Sequence, residues 1–477
     1  MNKTIPKVKL WINGELLNSE TGATFDVYNP FDNSLYAKAA EASIRDVDNA
    51  VLSAHAAFDK YKHCLAKERE SWLLKAADLL EQRTEKFIDV LIDEVGSTLK
   101  KANNEVMQSV LLLRAAAGAA RNVCGKTMPS DSINRMSMSI REPVGVIGAI
   151  TPFNVPLAKG IRLTANPLAL GNTVVLLTSE ESPMMGQLIA KLYHDAGIPK
   201  GAFNMISGFG VDIGDSLTNH PLVKVVTFTG SCAVGKHIQE ICGKQGKKVT
   251  LELGGKSPLV ILSDAELDKA VTGAIQSIFA HQGQICMAAS RIYVERSIFD
   301  IFISNFLAAT KLIKCAELRD PESVIGPIIN QKQRSRIKHH IEDATSKGAK
   351  LIAGGTWQGN CCLPTILTGV TSDMEIYAEE TFGPVTSIYP IDSIEQAIEK
   401  SNDSVYGLSA AIYTTNLNHA MQYAKQIKSG MVHINSPTSY AEPHVPFGGI
   451  GDSGFGREGT DVDIDLMTEW KWVTIQL

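Results

Sequence analysis

The spacing of hydrophobic residues changes along the chain, and each change predicts a different kind of structure. Short apolar runs between residues 8 and 40 are broken by Asn13-Gly14 and Asn29-Pro30, which predicts strands joined as hairpins. From residue 44 to about residue 124, apolar residues recur every three or four positions, which predicts helices with one buried face. The chain therefore begins with a small antiparallel portion and continues as a helical layer.

From residue 146 onward, strand-like and helix-like segments alternate. Val146–Ile150 is a continuous apolar run, as expected of a strand buried on both faces, and strand-like runs at 173–177, 203–206 and 223–228 follow with helices between them. This alternation predicts a doubly wound parallel sheet, and a second alternating unit begins after residue 255. The predicted fold class is therefore α/β, with two doubly wound parallel-sheet domains.

The composition fits an ordinary globular protein with two or three domains: 477 residues, 44% hydrophobic and 20% charged. The net charge of −5, without a basic patch, gives no electrostatic footprint for nucleic acid. No apolar run approaches the roughly 18 residues of a membrane helix. Eight cysteines occur without a Cys-x-x-Cys pair, so neither a metal site nor a disulfide framework is predicted. A reduced, cytoplasmic enzyme is the simplest interpretation.

Cys286 lies in a predicted loop between the helical segment 264–280 and the strand-like segment 291–294. A loop can present a thiol to a ligand, and a thiolate is a strong nucleophile once a base or a neighbouring charge helps to remove its proton. Cysteine is also among the residues most often buried, so a structural thiol fits the same pattern. The loop position by itself leaves both interpretations open.

Glu252 places one carboxylate in an apolar run that ends at Gly254-Gly255. Its leucine neighbours predict a desolvated carboxyl group whose neutral form is favoured, which suits a general base that works near pH 7. The alternative is a glutamate on an edge strand that faces water.

Two motifs together indicate a family. Glu252-Leu-Gly-Gly-Lys256 and Gly283-Gln-Ile-Cys286, with the spacing between them, resemble the signature pair of the NAD(P)-dependent aldehyde dehydrogenase superfamily. The resemblance extends over nearly the whole chain. It implies that Cys286 attacks an aldehyde, that hydride passes to the nicotinamide, and that Glu252 activates the water that hydrolyses the resulting thioester.

The same resemblance implies a small β domain that bridges the subunits of a homodimer or homotetramer. A hairpin near residues 125–141 and the C-terminal tail would form this domain. The predicted boundaries are residues 1–124 and 142–250 for the dinucleotide-binding domain, 251–430 for the catalytic domain, 125–141 and 460–477 for the bridging segments, and 431–459 for the substrate-tunnel loop and the return to the first domain.

Cofactor binding has one local signal of its own. Gly230-Ser231 follows a strand and opens a helix that contains Gly235, and free N–H groups at a helix start can hold a phosphate, although a plain helix cap fits as well. The resemblance implies the pyrophosphate there, and the nicotinamide ribose on Glu380 with Phe382 beside it. The cofactor contacts that it implies are Ile150, Thr151, Pro152, Phe153, Glu180, Gly210, Phe228, Gly230, Ser231, Gly235, Leu253, Gly254, Glu380 and Phe382.

Glu180 resembles the family glutamate that binds the adenosine ribose hydroxyls. A free carboxylate there repels a 2′-phosphate, which favours NAD over NADP. Leu177 stands where the family usually has a lysine that helps to bind the same ribose, so NADP stays possible. An acid at the start of a helix is the alternative interpretation of Glu180.

Asn154 matches the family asparagine whose amide donates to the developing oxyanion, together with the Cys286 backbone N–H. A turn asparagine fits the local sequence as well. The family lysine of a proton relay, nine residues later, falls on Leu163, next to Arg162. This departure leaves the relay of the present chain open.

The substrate has the weakest signal. The residues around Cys286 and in the tail are similar to the benzaldehyde, salicylaldehyde and vanillin dehydrogenase branch, which implies an aromatic aldehyde. Apolar residues next to the motifs could line a tunnel: Phe153, Leu157, Met287 and Phe447. An aliphatic or hydroxy-aldehyde substrate, bound by Tyr440, Glu442 and His444, and a CoA-acylating semialdehyde dehydrogenase are the alternatives.

Overall fold

The strands group into sheets that follow the predicted alternation. The computed structural model describes residues 5–477; residues 1–4, which the predicted first domain includes, lie outside the described residues. The strands are β1 (Lys7–Val8), β2 (Leu10–Ile12), β3 (Glu15–Leu17), β4 (Thr24–Tyr28), β5 (Leu35–Ala40), β6 (Lys126–Met128), β7 (Arg135–Pro143), β8 (Val146–Ile150), β9 (Thr173–Leu177), β10 (Phe203–Ile206), β11 (Val223–Thr229), β12 (Lys248–Glu252), β13 (Pro258–Ile261), β14 (Arg291–Glu295), β15 (Lys350–Ala353), β16 (Trp357–Gln358), β17 (Cys361–Cys362), β18 (Thr365–Thr368), β19 (Val385–Ile391), β20 (Tyr406–Gly407), β21 (Ser409–Tyr413), β22 (Met431–Ile434), β23 (Ile450–Gly451), β24 (Gly454–Phe455) and β25 (Thr468–Gln476).

The helices cover the faces of these sheets. They are α1 (Ile44–Tyr61), α2 (Ala66–Gln82), α3 (Thr84–Val95), α4 (Leu99–Ala119), α5 (Pro156–Ala169), α6 (Pro183–Ala196), α7 (Gly210–Thr218), α8 (Cys232–Lys244), α9 (Leu267–Phe279), α10 (Phe299–Lys311), α11 (Gln331–Ser346), α12 (Glu375–Ala378), α13 (Ile394–Asn402), α14 (Leu417–Gln426) and α15 (Thr460–Met467). Within residues 5–477, no helix is both long and apolar enough to cross a membrane.

The first sheet has eight strands in the order β24-β12-β11-β8-β9-β10-β2-β3, and its five central strands run parallel. Alternate residues of each strand reach opposite cores. Ile147 and Val174 pack on one face with α2, α4 and α5, and Val146 and Val175 pack on the other face. Burial on both faces explains why these strands read as continuous apolar runs.

The second sheet has seven strands in the order β15-β18-β19-β14-β13-β21-β22, parallel except for β15 at one edge. Leu259 and Ile292 point to one core, and Val260 and Tyr293 point to the other. Two parallel sheets with helices on both faces confirm the predicted fold class.

The third sheet joins β25, β7 and β6, with β25 and β7 paired along their full nine residues. The structure divides the chain slightly differently from the predicted boundaries. Residues 460–467 form α15, whose Ile464 and Met467 pack in a core of the first domain, so the tail enters the third sheet only from Thr468. Strand β22, beyond residue 430, belongs to the second sheet.

Candidate active site

The loop that carries Cys286 begins with a strained turn. Helix α9 ends at Phe279, and the following turn holds His281 and Gln282 at φ of 48° and 46°, in the left-handed region that side chains disfavour. The Gln282 side chain bonds this turn to a neighbouring segment, since its Nε2 donates to Pro327 O at 2.9 Å. A strained turn that tertiary contacts over-determine is typical of a functional site.

Two adjacent glycines hold the end of β12 against the Cys286 loop. A Cβ on Gly255 would lie 2.3 Å from the carbonyl oxygen of Cys286, and a Cβ on Gly254 would lie 2.4 Å from Glu380 Oε2. The Gly255 N–H also donates to Glu380 Oε1 at 3.0 Å. The structure therefore brings Cys286, the end of the Glu252 strand and Glu380 together, and only glycine fits between them.

Glu252 is buried at the end of β12, with 2% of its surface exposed. The alternative of an edge glutamate facing water is therefore wrong. Among the described residues, neither of its carboxylate oxygens has a hydrogen-bond partner. Burial, and then the charge of Glu458, raise the pKa of Glu252 well above its ordinary value, while Lys159, Arg162 and Arg457 act in the opposite direction. Desolvation therefore favours the neutral carboxyl group, as predicted.

The glycine-rich loop after Phe447 closes over this carboxylate. Gly448 adopts a φ of 151°, and a Cβ there would lie 2.4 Å from Glu252 Oε1. Phe447 itself packs with Met287 and Leu408, and Cys286 lies against the same cluster. The thiol therefore borders the cluster that contains Phe447, and the carboxylate lies against the next residue of the same loop.

Burial raises the pKa of the Cys286 thiol to about 12. The charge of Lys159 lowers this pKa, and the charges of Glu380 and Glu252 raise it. The resting thiol is accordingly protonated near neutral pH, and it needs a base before it can act as a nucleophile. The charge of Glu252 acts on Cys286, and the raised pKa of Glu252 makes its carboxylate a stronger base for that transfer.

Asn154 joins this group through the loop itself. Its Nδ2 donates to Gln284 O at 2.7 Å, two residues before Cys286, and its backbone oxygen accepts a bond from Lys101 Nζ at 2.8 Å. The asparagine is 5% exposed. One amide hydrogen is engaged by this bond, and the second can donate to an oxygen formed beside Cys286.

Most of the predicted cofactor residues lie at or beyond the carboxyl ends of neighbouring parallel strands, where α/β sheets bind ligands, whereas Glu380 and Phe382 precede β19. Glu180 is exposed after β9, and Phe153, beyond β8, meets Phe382 edge-on with ring centroids 5.9 Å apart. The other members group by position: Ile150, Thr151 and Pro152 end or follow β8, Phe228 lies in β11, Gly230 follows it, Leu253 and Gly254 follow β12, Gly210 begins α7, and Gly235 lies in α8.

Ser231 serves as the N-cap of α8, because its side chain accepts a bond from the N–H of Val234. This contact is the plain helix cap that the sequence left open. The capping bond uses one N–H group of the first turn, and helix N-termini leave four such groups without intrahelical partners. The geometry is compatible with a phosphate at the same helix start.

The predicted substrate residues do not all come together. Met287 and Phe447 belong to the cluster that Cys286 borders, whereas Leu157 is fully buried in a core of the first domain and Phe153 packs against that core. The structure therefore brings only Met287 and Phe447 to the thiol. Tyr440, of the polar alternative, is exposed and donates to the Glu442 carboxylate.

Sequence reasoning missed a buried ion pair. Lys159 Nζ lies 2.7 Å from Glu458 Oε2, and Arg162 Nε lies 2.9 Å from the same oxygen. The family lysine was expected at Leu163. Lys159 lies one helical turn before that position. This spacing places both positions on one face of α5 and was the signal that could have identified the lysine.

The comparisons with known proteins agree with this geometry. The model of the aldehyde dehydrogenase family matches residues 17–473. The chain is 39% identical over 472 residues to a vanillin dehydrogenase from Pseudomonas fluorescens, with 98% of each chain covered. Against the structure of a salicylaldehyde dehydrogenase from Pseudomonas putida G7 complexed with salicylaldehyde, it has 38% identity and a TM-score of 0.96, with 99% of this chain and 98% of that chain covered.

A further solved structure holds the cofactor. It is a betaine aldehyde dehydrogenase from Staphylococcus aureus in complex with NAD+, 31% identical, with a TM-score of 0.95 and with 98% of this chain and 94% of that chain covered. The chain belongs to the aldehyde dehydrogenase family, as the paired motifs predicted. It is an NAD(P)-dependent aldehyde dehydrogenase.

The raised pKa of Cys286 can be measured without substrate. The rate of alkylation of Cys286 by iodoacetamide, followed by peptide mass spectrometry, should rise about tenfold for each pH unit between pH 7 and 10, because only the thiolate reacts. Alkylation of the exposed Cys124 in the same samples corrects for changes in the reagent. A Cys286 rate that levels off below pH 8 would contradict the expected pKa.

Proposed function

We propose that the protein oxidises aromatic aldehydes to carboxylic acids with NAD. The observation that carries the proposal is the apolar cluster of Met287, Leu408 and Phe447, which borders Cys286 directly. An aromatic ring seated there would lose its apolar surface to the protein while its aldehyde carbon faces the thiol. The names of the vanillin and salicylaldehyde dehydrogenases support the same substrate class.

In this mechanism Cys286 is the nucleophile and Glu252 the base. Glu252 takes the thiol proton, and the thiolate attacks the aldehyde carbon to form a thiohemiacetal. The second amide hydrogen of Asn154 and the Cys286 backbone N–H donate to the new oxyanion. Glu252 passes the thiol proton on to solvent before the next step, and after oxidation to the thioester its carboxylate takes a proton from the water that releases the acid. Its carboxylate oxygens, free of partners among residues 5–477, are available to both protons.

The residues around Glu380 fit a nicotinamide dinucleotide. Its carboxylate contacts Gly254 and accepts the Gly255 N–H, and burial raises its pKa to about 7. Two ribose hydroxyls would give this buried group the donors that stabilise its ionised form. The bound dinucleotide supplies the hydride acceptor, and Phe382, edge-on to Phe153, would border the ring.

The proposal also covers the domain boundaries, the assembly of subunits and the cellular location of the enzyme. We infer that residues 125–141 and the strand from Thr468 bridge the subunits of a homodimer or homotetramer, and that the enzyme is cytoplasmic. Trp472 on β25 is 70% exposed, and Met136 on β7 is 45% exposed, so this sheet carries apolar surface that a second copy could cover. Light scattering that reports a monomer would contradict the assembly.

The substrate class has a direct test. Burying an aromatic ring gains roughly 25 cal/mol per Å2, so benzaldehyde should exceed acetaldehyde and glyceraldehyde in kcat/KM by about thirtyfold. The measurement is NADH absorbance at 340 nm with the Cys286→Ala protein as the blank. Equal or better turnover of glyceraldehyde would favour the hydroxy-aldehyde alternative, and turnover that requires coenzyme A would favour the acylating one.

The base has a test of its own. Glu252→Gln should lower steady-state turnover by about a hundredfold or more, because no carboxylate activates water. At pH 9.5 to 10 the variant should still release a burst of NADH, because hydroxide removes the thiol proton, whereas at pH 7 the burst itself should slow. Glu399→Gln, an exposed acid on α13, is the control. Undiminished steady-state turnover at pH 7 would remove Glu252 from the mechanism.

The preference for NAD follows from Glu180. This exposed carboxylate would repel the 2′-phosphate of NADP, and Leu177 offers no positive charge to offset the repulsion. The wild-type protein should show a higher kcat/KM for NAD, and Glu180→Gln should narrow the difference by improving NADP. Glu181→Gln is the control, because that neighbouring acid is bonded to Asn330. A wild-type preference for NADP would overturn this assignment.

A further inference from the structure

Two buried cations share one carboxylate beside the thiol. Lys159 and Arg162 lie on one face of α5, and both approach Glu458 Oε2, at 2.7 and 2.9 Å. Their side chains are each 9% exposed, and that of Glu458 is 3% exposed. A buried charge is costly unless it is paired, and here one carboxylate is the ion-pair partner of two cations.

The donors of this pair are also incompletely used. Among residues 5–477, Lys159 Nζ donates to one acceptor although it carries three hydrogens, and Arg162 Nε has no hydrogen-bond partner of good geometry. The Arg162 Nη2 group donates to Glu458 O at 3.1 Å. Unused donors on buried cations are expected to find an acceptor, such as water or a ligand.

Other charged groups lie around the pair. Arg457 contributes a third cation near Glu252. Burial raises the pKa of Glu252 well above its ordinary value and the pKa of Asp463 to about 7. Asp463 accepts a bond from Asn166. Lys159 and Arg162 both act on Glu252, and Lys159 also acts on Cys286, so the charge of the pair reaches the thiol.

Phe447 connects this charge to the apolar cluster. Lys159 Nζ lies 4.9 Å and the Arg162 guanidinium carbon 5.2 Å from the centre of the Phe447 ring. The same ring packs with Met287 and Cys286. A substrate seated on this cluster with its aldehyde at Cys286 would therefore extend toward the two cations.

We propose that Lys159 and Arg162 recognise an anionic group, a carboxylate or a sulfonate, that the aldehyde carries away from its carbonyl carbon. The inference rests on the proposed function and specifies its substrate further. Charge-assisted hydrogen bonds from an ammonium and a guanidinium group are stronger than those between neutral groups. A neutral substituent of the same shape leaves both cations with unused donors, which gives the site its selectivity.

The test compares 4-formylbenzoate with 4-formylbenzamide, which has nearly the same shape without the charge. In the wild-type enzyme, kcat/KM for the carboxylate should exceed that for the amide by about tenfold or more. Lys159→Met should bring this ratio close to one, and Arg162→Gln should lower it as well. Lys191→Met, an exposed lysine paired with Asp195, should keep the wild-type ratio.

The ratio separates substrate charge from thiol activation, because a change in Cys286 reactivity alters both substrates alike. A wild-type ratio of one or less would overturn the inference, and so would a ratio unchanged in both variants. If benzaldehyde and both benzene derivatives are inert, the aromatic function fails. The ratio of kcat/KM is then measured with a four-carbon aldehyde that carries a terminal carboxylate and with the corresponding amide. A preference for the amide would overturn the anion site independently of the aromatic function.

Discussion

Desolvation at the end of β12 is the constraint on which the site depends. The Gly254-Gly255 pair lets the chain pass between the Cys286 loop and Glu380 with no side chain in the gap, and Glu252 is buried at the end of the same strand. Burial raises the pKa of the thiol and of the carboxyl group. A carboxylate whose pKa is raised is a stronger base than an ordinary glutamate, so in its ionised form Glu252 can accept the proton of a thiol whose pKa is also raised.

The parts of the fold that follow local rules were predicted from the sequence. The continuous apolar run of β8 could be read as a buried strand because both of its faces are covered, and Asn13-Gly14 marked the β2–β3 hairpin correctly. The sequence did not indicate that residues 460–467 turn helical and pack Ile464 and Met467 into the first domain. That outcome depends on a tertiary core, which local periodicity does not describe.

Some residues of the candidate site could likewise be predicted from the sequence, and others could not. Cys286 and Glu252 could be chosen because each lies in a motif whose neighbours reveal its environment. Lys159 and Glu458, in contrast, are 299 positions apart, and neither has a sequence neighbour that reveals the ion pair. Leu157 is close to Asn154 in sequence, yet it is buried in a core of the first domain and not at the thiol. Closeness in sequence did not determine which face of α5 it occupies.

The ion pair also changes how the missing family lysine is understood. Leu163 removes one cation from the helix, but Lys159, one turn earlier on the same face, restores a positive charge that acts on both Glu252 and Cys286. A buried ammonium, which carries a strong desolvation cost, is retained only where a partner compensates it, and Glu458 is the ion-pair partner of both cations. Pairing two buried cations with one carboxylate lowers the stability of the folded protein, and a bound anion would restore that stability. The same charges would therefore strengthen the binding of an anionic substrate.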